Sequence, residues 1–111
     1  TTTIWSTIGS TSAIITTSIP FGARWQSFLI QNFAAATVHV QTHVTNPVTG
    51  AIPTQSYRVA ANASLLLGTD FFGNGGAVIP VANLVIAISS THASFTAAAS
   101  PNTSLTIRYL V

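Results

Sequence analysis

Short apolar runs recur along this chain with polar or hydroxyl residues between them, in the two-residue period of a β-strand. In Thr37–Val44 the alternation puts Val38, Val40, Thr42 and Val44 on one face and His39, Gln41 and His43 on the other. Toward the end of the chain, Leu105, Ile107, Tyr109 and Val111 oppose Thr106, Arg108 and Leu110, and in Leu84–Ser89 the residues Leu84, Ile86 and Ile88 oppose Val85, Ala87 and Ser89. Strands are expected near Thr3–Ile8, Ser12–Ser18, Arg24–Gln31, Thr37–Val44, Ser56–Ala60, Ser64–Leu67, Leu84–Ser89, Ser94–Ala97 and Ser104–Val111. The helix formers Glu, Lys and Met are missing, while Thr, Ile, Val and Phe are plentiful. Turn residues punctuate the runs: Ile19-Pro20-Phe21-Gly22, Asn46-Pro47-Val48-Thr49-Gly50, and Gly73-Asn74-Gly75-Gly76, where several positive φ angles are expected. Thr91–Asn102, rich in Ala, Ser and Thr, is read as a strand with a polar loop. The pattern predicts an all-β chain, a single-domain antiparallel β-sandwich over residues 1–111 with jelly-roll-like or immunoglobulin-like connections.

Composition changes the picture mainly through what it lacks. Asp70 is the sole acidic residue, and Arg24, Arg58 and Arg108 complete the charged set, so 4% of the 111 positions carry charge. Roughly a quarter is ordinary for a soluble domain. The polar strand faces are therefore thin, as expected of faces that another layer or subunit covers. A neutral surface with β-prone edges also invites association, so a homo-oligomer or a place in a larger particle is expected. The net charge of +2 comes from three dispersed arginines rather than from a basic patch, which argues against a nucleic-acid partner. No apolar run approaches the ~20 residues of a spanning helix, so no membrane role is expected. Cysteine is absent, which removes disulfides and thiolate metal sites. Methionine is absent too, so loss of an initiator is expected, either by trimming before the small Thr1 or from a longer precursor.

The residues that carry chemistry elsewhere give little here, and neither a catalytic group nor a cofactor is expected. His39 and His43 share one side of a strand, but four residues at ~3.3 Å each separate them by ~13 Å, too far for one metal ion. Around a symmetry axis, copies of one histidine would converge at an interface; otherwise both are polar strand-face residues. His92 offers no third ligand by spacing, so no metal site is assigned. A Ser–His–Asp triad would have to use Asp70, which sits in the turn-like Gly68-Thr69-Asp70-Phe71-Phe72-Gly73, and no nucleophile elbow accompanies it. One carboxylate excludes paired-carboxylate glycoside hydrolysis. Trp5, Trp25, Tyr57 and Tyr109 are expected as core or interface anchors, with a sugar-stacking platform as the alternative. Arg24 is a candidate partner for Asp70 or for an aromatic ring. Because one carboxylate serves at most one arginine, the others need carbonyls, solvent or a partner's acidic surface, which makes Arg58 and Arg108 candidate docking residues. The candidate interface residues are thus Trp5, Arg24, Trp25, His39, His43, Arg58 and Arg108.

A resemblance runs through most of the chain. It is carried by Arg24-Trp25 leading into Phe28-Leu29-Ile30-Gln31-Asn32, then Ala36-Thr37-Val38-His39-Val40 and Asn46-Pro47-Val48-Thr49-Gly50. Ile52-Pro53, Ala60-Ala61-Asn62-Ala63-Ser64-Leu65 and Phe72-Gly73-Asn74-Gly75-Gly76 continue it, and Leu84–Ser90 and Arg108-Tyr109-Leu110 close it. In this layout the chain resembles small β-sandwich virion proteins of tailed bacteriophages, of the head-decoration or head-fibre type. The resemblance implies a non-enzymatic protein, commonly a homo-oligomer such as a trimer, bound at symmetric positions on the capsid surface through the major capsid protein or another virion protein. Two other assemblies fit the residues. One is a prokaryotic extracellular filament or surface-layer subunit held by β-strand exchange, with Thr1–Ile8 as the donor strand; the other is a carbohydrate-binding module.

Overall fold

Two apolar strand faces of period two can bury each other only as a pair of sheets, and this is how residues 2–111, described by a computed structural model, are arranged. The elements are β1 (Thr2–Ser10), β2 (Ile14–Thr16), β3 (Arg24–Asn32), β4 (Val38–His43), β5 (Gln55–Val59), β6 (Ser64–Leu67), α1 (Thr69–Phe72), β7 (Ala77–Val78), β8 (Val85–Ser89) and β9 (Thr103–Leu110). One sheet runs β1-β9-β3-β6, with β7 added on β3, and the other runs β2-β8-β4-β5. We refer to them as the first and second sheets. Every pairing is antiparallel.

The connectivity has a simple origin. β1 pairs with β9, β2 with β8, β3 with β6 and β4 with β5, so the chain is one long antiparallel ribbon doubled back between β4 and β5. Rolling that ribbon brings β9 against β3 and β8 against β4, which closes the two sheets. This is the jelly-roll arrangement, one of the two connectivities the sequence left open.

Register decides which residues meet. Across the first sheet, Trp5, Ile107, Phe28 and Leu67 form one inward row, and the neighbouring residues Ser6, Thr106, Leu29 and Leu66 form an outward row. The core joins Phe28, Ile30, Leu105 and Ile107 of the first sheet to Val40, Val59, Ile86 and Ile88 of the second, all buried. Aromatic side chains close one end: Trp25 stacks on Phe72 at 5.0 Å, and Phe28 meets Trp25 at 5.1 Å and the edge of Tyr57 at 6.1 Å. At the other end the buried Asn32 amide ties loops together, donating to the carbonyls of Ala36, Val59 and Ala60 and accepting from the Ala34 N–H.

Two turns form as the sequence predicts. Ala23 N–H bonds Pro20 C=O with Gly22 at φ 82°, and Ala51 N–H bonds Val48 C=O with Gly50 at φ 91°. In the Gly73–Gly76 loop, Gly73 and Gly76 take positive φ. Gly76 is required twice over, since a Cβ there would also lie 2.9 Å from the Trp25 carbonyl oxygen.

All the expected strands form except Ser94–Ala97. That segment is a loop with a single bridge, Ser89 to Ala97. Phe95 is buried, its N–H and C=O bond Ala51 and Gly50, and Thr96 N–H bonds the Ser89 hydroxyl, so pairing with β8 does not extend beyond that bridge. The sequence also missed α1 and β7. α1 places Asp70 in its first turn, exposed, and packs Phe72 into the aromatic end.

Candidate functional site

The outward faces of the two sheets have opposite fates. On the second sheet, Gln41, His43, Val85, Ala87 and Ser89 point outward yet are buried, because residues 90–97 of the same chain fold over them. The Gln41 amide nitrogen donates to the carbonyls of Thr91 (2.9 Å), His92 (3.2 Å) and Ser94 (3.0 Å). The Ser89 hydroxyl donates to Thr91 C=O at 2.8 Å and accepts from the N–H groups of Thr91 and Thr96, 3.1 Å each. Three carbonyls around its nitrogen fix the orientation of the Gln41 amide. Its oxygen then accepts from His43 Nε2 at 3.0 Å, which makes His43 the Nε2–H tautomer. The thin polar face expected to meet a second layer thus meets one, supplied by the chain itself.

Among the described residues no loop covers the first sheet in this way. Its outward face carries Ile4 and Ser6 on β1, Thr106, Arg108 and Leu110 on β9, Arg24, Leu29 and Gln31 on β3, and Ser64 and Leu66 on β6. Ile4 and Leu66 are 56% and 68% exposed, on strands about 14 Å apart at the usual inter-strand spacing. Arg108 is exposed and lines a 290 Å³ polar cleft with Gln26, Ser27, Gly68, Thr69 and Asn74. Arg24, also exposed, lies opposite Leu110 and Val78. Among the described residues neither guanidinium pairs with Asp70, so of the two partners offered for Arg24 the carboxylate is not the one used.

The remaining candidate residues divide between interior and surface. Trp25 and His43 are buried within the chain: Trp25 takes the core place at the aromatic end, with Nε1 donating to Ser27 C=O at 3.1 Å, and His43 packs its ring on Phe95. Trp5 is half-buried, on the inward row against the core. Tyr57 and Tyr109 are buried as well, so these four aromatics form no exposed stacking platform. Burial pushes the Tyr57 hydroxyl up to about 12, and it donates to Gln55 Oε1. Beside this end, Trp25, Phe71, Phe72, Leu84, Thr42 and Thr54 line part of a 310 Å³ cleft. β1 pairs with β9 in its own sheet and is not a free donor strand; Thr1 lies outside the described residues.

One juxtaposition was invisible to spacing. His39 on β4 and His92 in the 90–97 loop place their Nδ1 atoms 3.2 Å apart, and the Ser56 hydroxyl on β5 lies 3.1 Å from His92 Nδ1. Arg58 lies opposite His39 across the β4–β5 pair and is exposed. Among the described residues no group of three His, Cys, Asp or Glu side chains is placed to hold a metal.

Two histidines make stability depend on pH. Burial holds His43 below its ordinary value of 6.5, and burial, then His92 and Arg58, hold His39 below it. A depressed folded-state value means the unfolded chain takes up its protons first on acidification. Their contribution is therefore complete above about 6.5 and is lost as pH falls from there through the folded values. The denaturant midpoint should hold steady between pH 8 and 7 and drop between pH 6.5 and 5. A midpoint that stays flat or rises over the lower range would contradict this.

No family model matches the chain, and the comparisons with curated proteins and with solved structures found no match.

Proposed function

We propose that this chain is a non-enzymatic virion structural subunit, a capsid-decorating or capsid-stabilising protein or a head-fibre component, that acts by self-association and by docking on a capsid. The observation that carries the reading is the uncovered outward face of the first sheet. It is a β surface of Ile, Leu, Thr, Ser and Gln with two arginines and no acidic side chain among the described residues. Where the chain needs cover on its second sheet it supplies its own loop, so the bare first sheet is the surface left for other protein. Exposed apolar side chains at both flanks, Ile4 and Leu66, suit contact with further copies. Arg24 and Arg108 suit an acidic surface, the chemistry expected of a capsid partner such as the major capsid protein. The jelly roll is an architecture that capsid proteins use, though lectin domains share it, so the face and not the fold supports the choice. A closed ring, a trimer foremost, fits a decoration at a symmetric position on the virion surface.

The direct test places charge on that face. Ile4→Glu combined with Leu66→Glu should convert the assembled chain to monomer while its circular dichroism stays unchanged. Ile52→Glu, in the distant 44–54 loop and 78% exposed, should leave the mass as it was. An unchanged mass in the double variant would show that the face is not the contact. Open-ended polymers disrupted by the same charges would favour the extracellular filament reading, and a folded wild-type monomer that binds glycans would favour the carbohydrate-binding one.

A further inference from the structure

We propose that His39 and His92 form a two-imidazole site for a late first-row divalent transition ion, of the Ni²⁺, Cu²⁺ or Zn²⁺ type. The argument begins with the distance. Ligand nitrogens sit about 2.0–2.1 Å from such an ion, so two of them at angles between 90° and tetrahedral are about 2.9–3.4 Å apart. The two Nδ1 atoms are 3.2 Å apart. Neither ring has to travel; both have to turn so that their lone pairs face one point, and the rings already meet at 62° with centroids 5.1 Å apart. His92 is exposed and His39 half-buried, which leaves that rotation free and the remaining coordination positions open to water.

The spacing is held by buried chemistry rather than by a loose surface loop. His39 is on β4, two residues from Gln41, and the buried Gln41 amide bonds the His92 carbonyl along with those of Thr91 and Ser94. The strand that carries one ligand therefore clamps the loop that carries the other. Gln41 is a positioning residue here, and Ser56 Oγ lies close enough to bond a water on the ion. Without metal, one Nδ1 donates its hydrogen to the other. On binding, that imidazole keeps its proton on Nε2 instead, so two neutral rings present two lone pairs and no net proton is released.

Ligand chemistry sets the selectivity. Imidazole suits copper, nickel and zinc, whereas magnesium and calcium need oxygen ligands that this site lacks. Arg58, across the strand pair from His39, opposes a cation; it is exposed and has solvent to turn into. Two protein ligands make an open, exchangeable site.

The test is calorimetric titration of the whole chain with Ni²⁺ and Zn²⁺, together with the electron paramagnetic resonance spectrum of the Cu²⁺ form. One ion per chain is expected, with hyperfine coupling from two nitrogens and no response to Mg²⁺. His39→Asn and His92→Asn should each weaken binding by at least the 10–100-fold that loss of even an outer partner costs a metal site. Both changes are on the surface side of the sheet, and circular dichroism will establish that each variant is folded. Arg58→Gln should tighten binding. Lack of binding by the folded wild type, affinity that survives both histidine changes, or one ion per two chains would each overturn the proposal.

Discussion

Phe28→Ala is expected to remove about 3–5 kcal/mol of stability, the usual cost of deleting a large buried aromatic side chain. Phe28 is fully buried at the centre of the first sheet's inward row, between Ile107 and Leu67. Its ring also holds Trp25 at 5.1 Å and the edge of Tyr57 at 6.1 Å, so truncation loosens the aromatic end as well as the core. A domain of this size has a total stability of about 5–15 kcal/mol, so the variant would sit near the limit of folding. Urea unfolding followed by tryptophan fluorescence measures it, because Trp25 reports directly on the site. A loss under about 1 kcal/mol would mean that the core can collapse around the vacancy, contrary to its position between two closed sheets.

Gln41→Leu should cost about 2–4 kcal/mol despite filling much the same space with an apolar side chain, because each buried polar group left without a partner costs about 1–3 kcal/mol. The change takes a donor from the carbonyls of Thr91, His92 and Ser94 in one step, and leaves the His92 carbonyl and the Nε2–H of His43 without their partner. The Ser89 hydroxyl still reaches Thr91 and Ser94, and the Thr91 hydroxyl still bonds the Ser94 carbonyl at 2.7 Å, which limits the loss. A local signature should accompany the global one. Amide exchange in residues 90–97 should quicken more than in β3 or β9, since the loop is released while the jelly roll stands. Equal protection of the loop in wild type and variant would show that the amide is not its anchor.

The sheets were legible in the sequence because two-residue alternation is local. Val38, Val40 and Thr42 against His39, Gln41 and His43 read directly as two faces, and Leu105, Ile107 and Tyr109 as an inward set. Gly22 and Gly50 were legible as turns because positive φ leaves few other choices. What the sequence could not separate was one kind of cover from another. A face stripped of charge looks the same whether a second subunit or the chain's own loop lies on it, and on the second sheet it is the loop. The alternation of Ser94-Phe95-Thr96-Ala97 mimics a strand, but its backbone bonds go to Gln41, Gly50, Ala51, Ser89 and Ser90, partners fixed only by the tertiary fold. α1 has four residues between glycines, too few for a helical period to show. Trp25 is interior because it packs into the aromatic end and His43 because the 90–97 loop lies over it, and the meeting of His39 with His92 across 53 residues follows from the clamp on that loop. No spacing rule reaches either.

The sparsity of charge and the bare first sheet both lead to one claim, that this chain works as part of an assembly. The most direct test is the solution mass of the purified wild-type protein by light scattering, across a dilution series and at moderate salt. The account predicts a closed oligomer whose mass, three times 11.5 kDa for the trimer, does not change with concentration. A monomer of 11.5 kDa that stays dispersed throughout the series would contradict it.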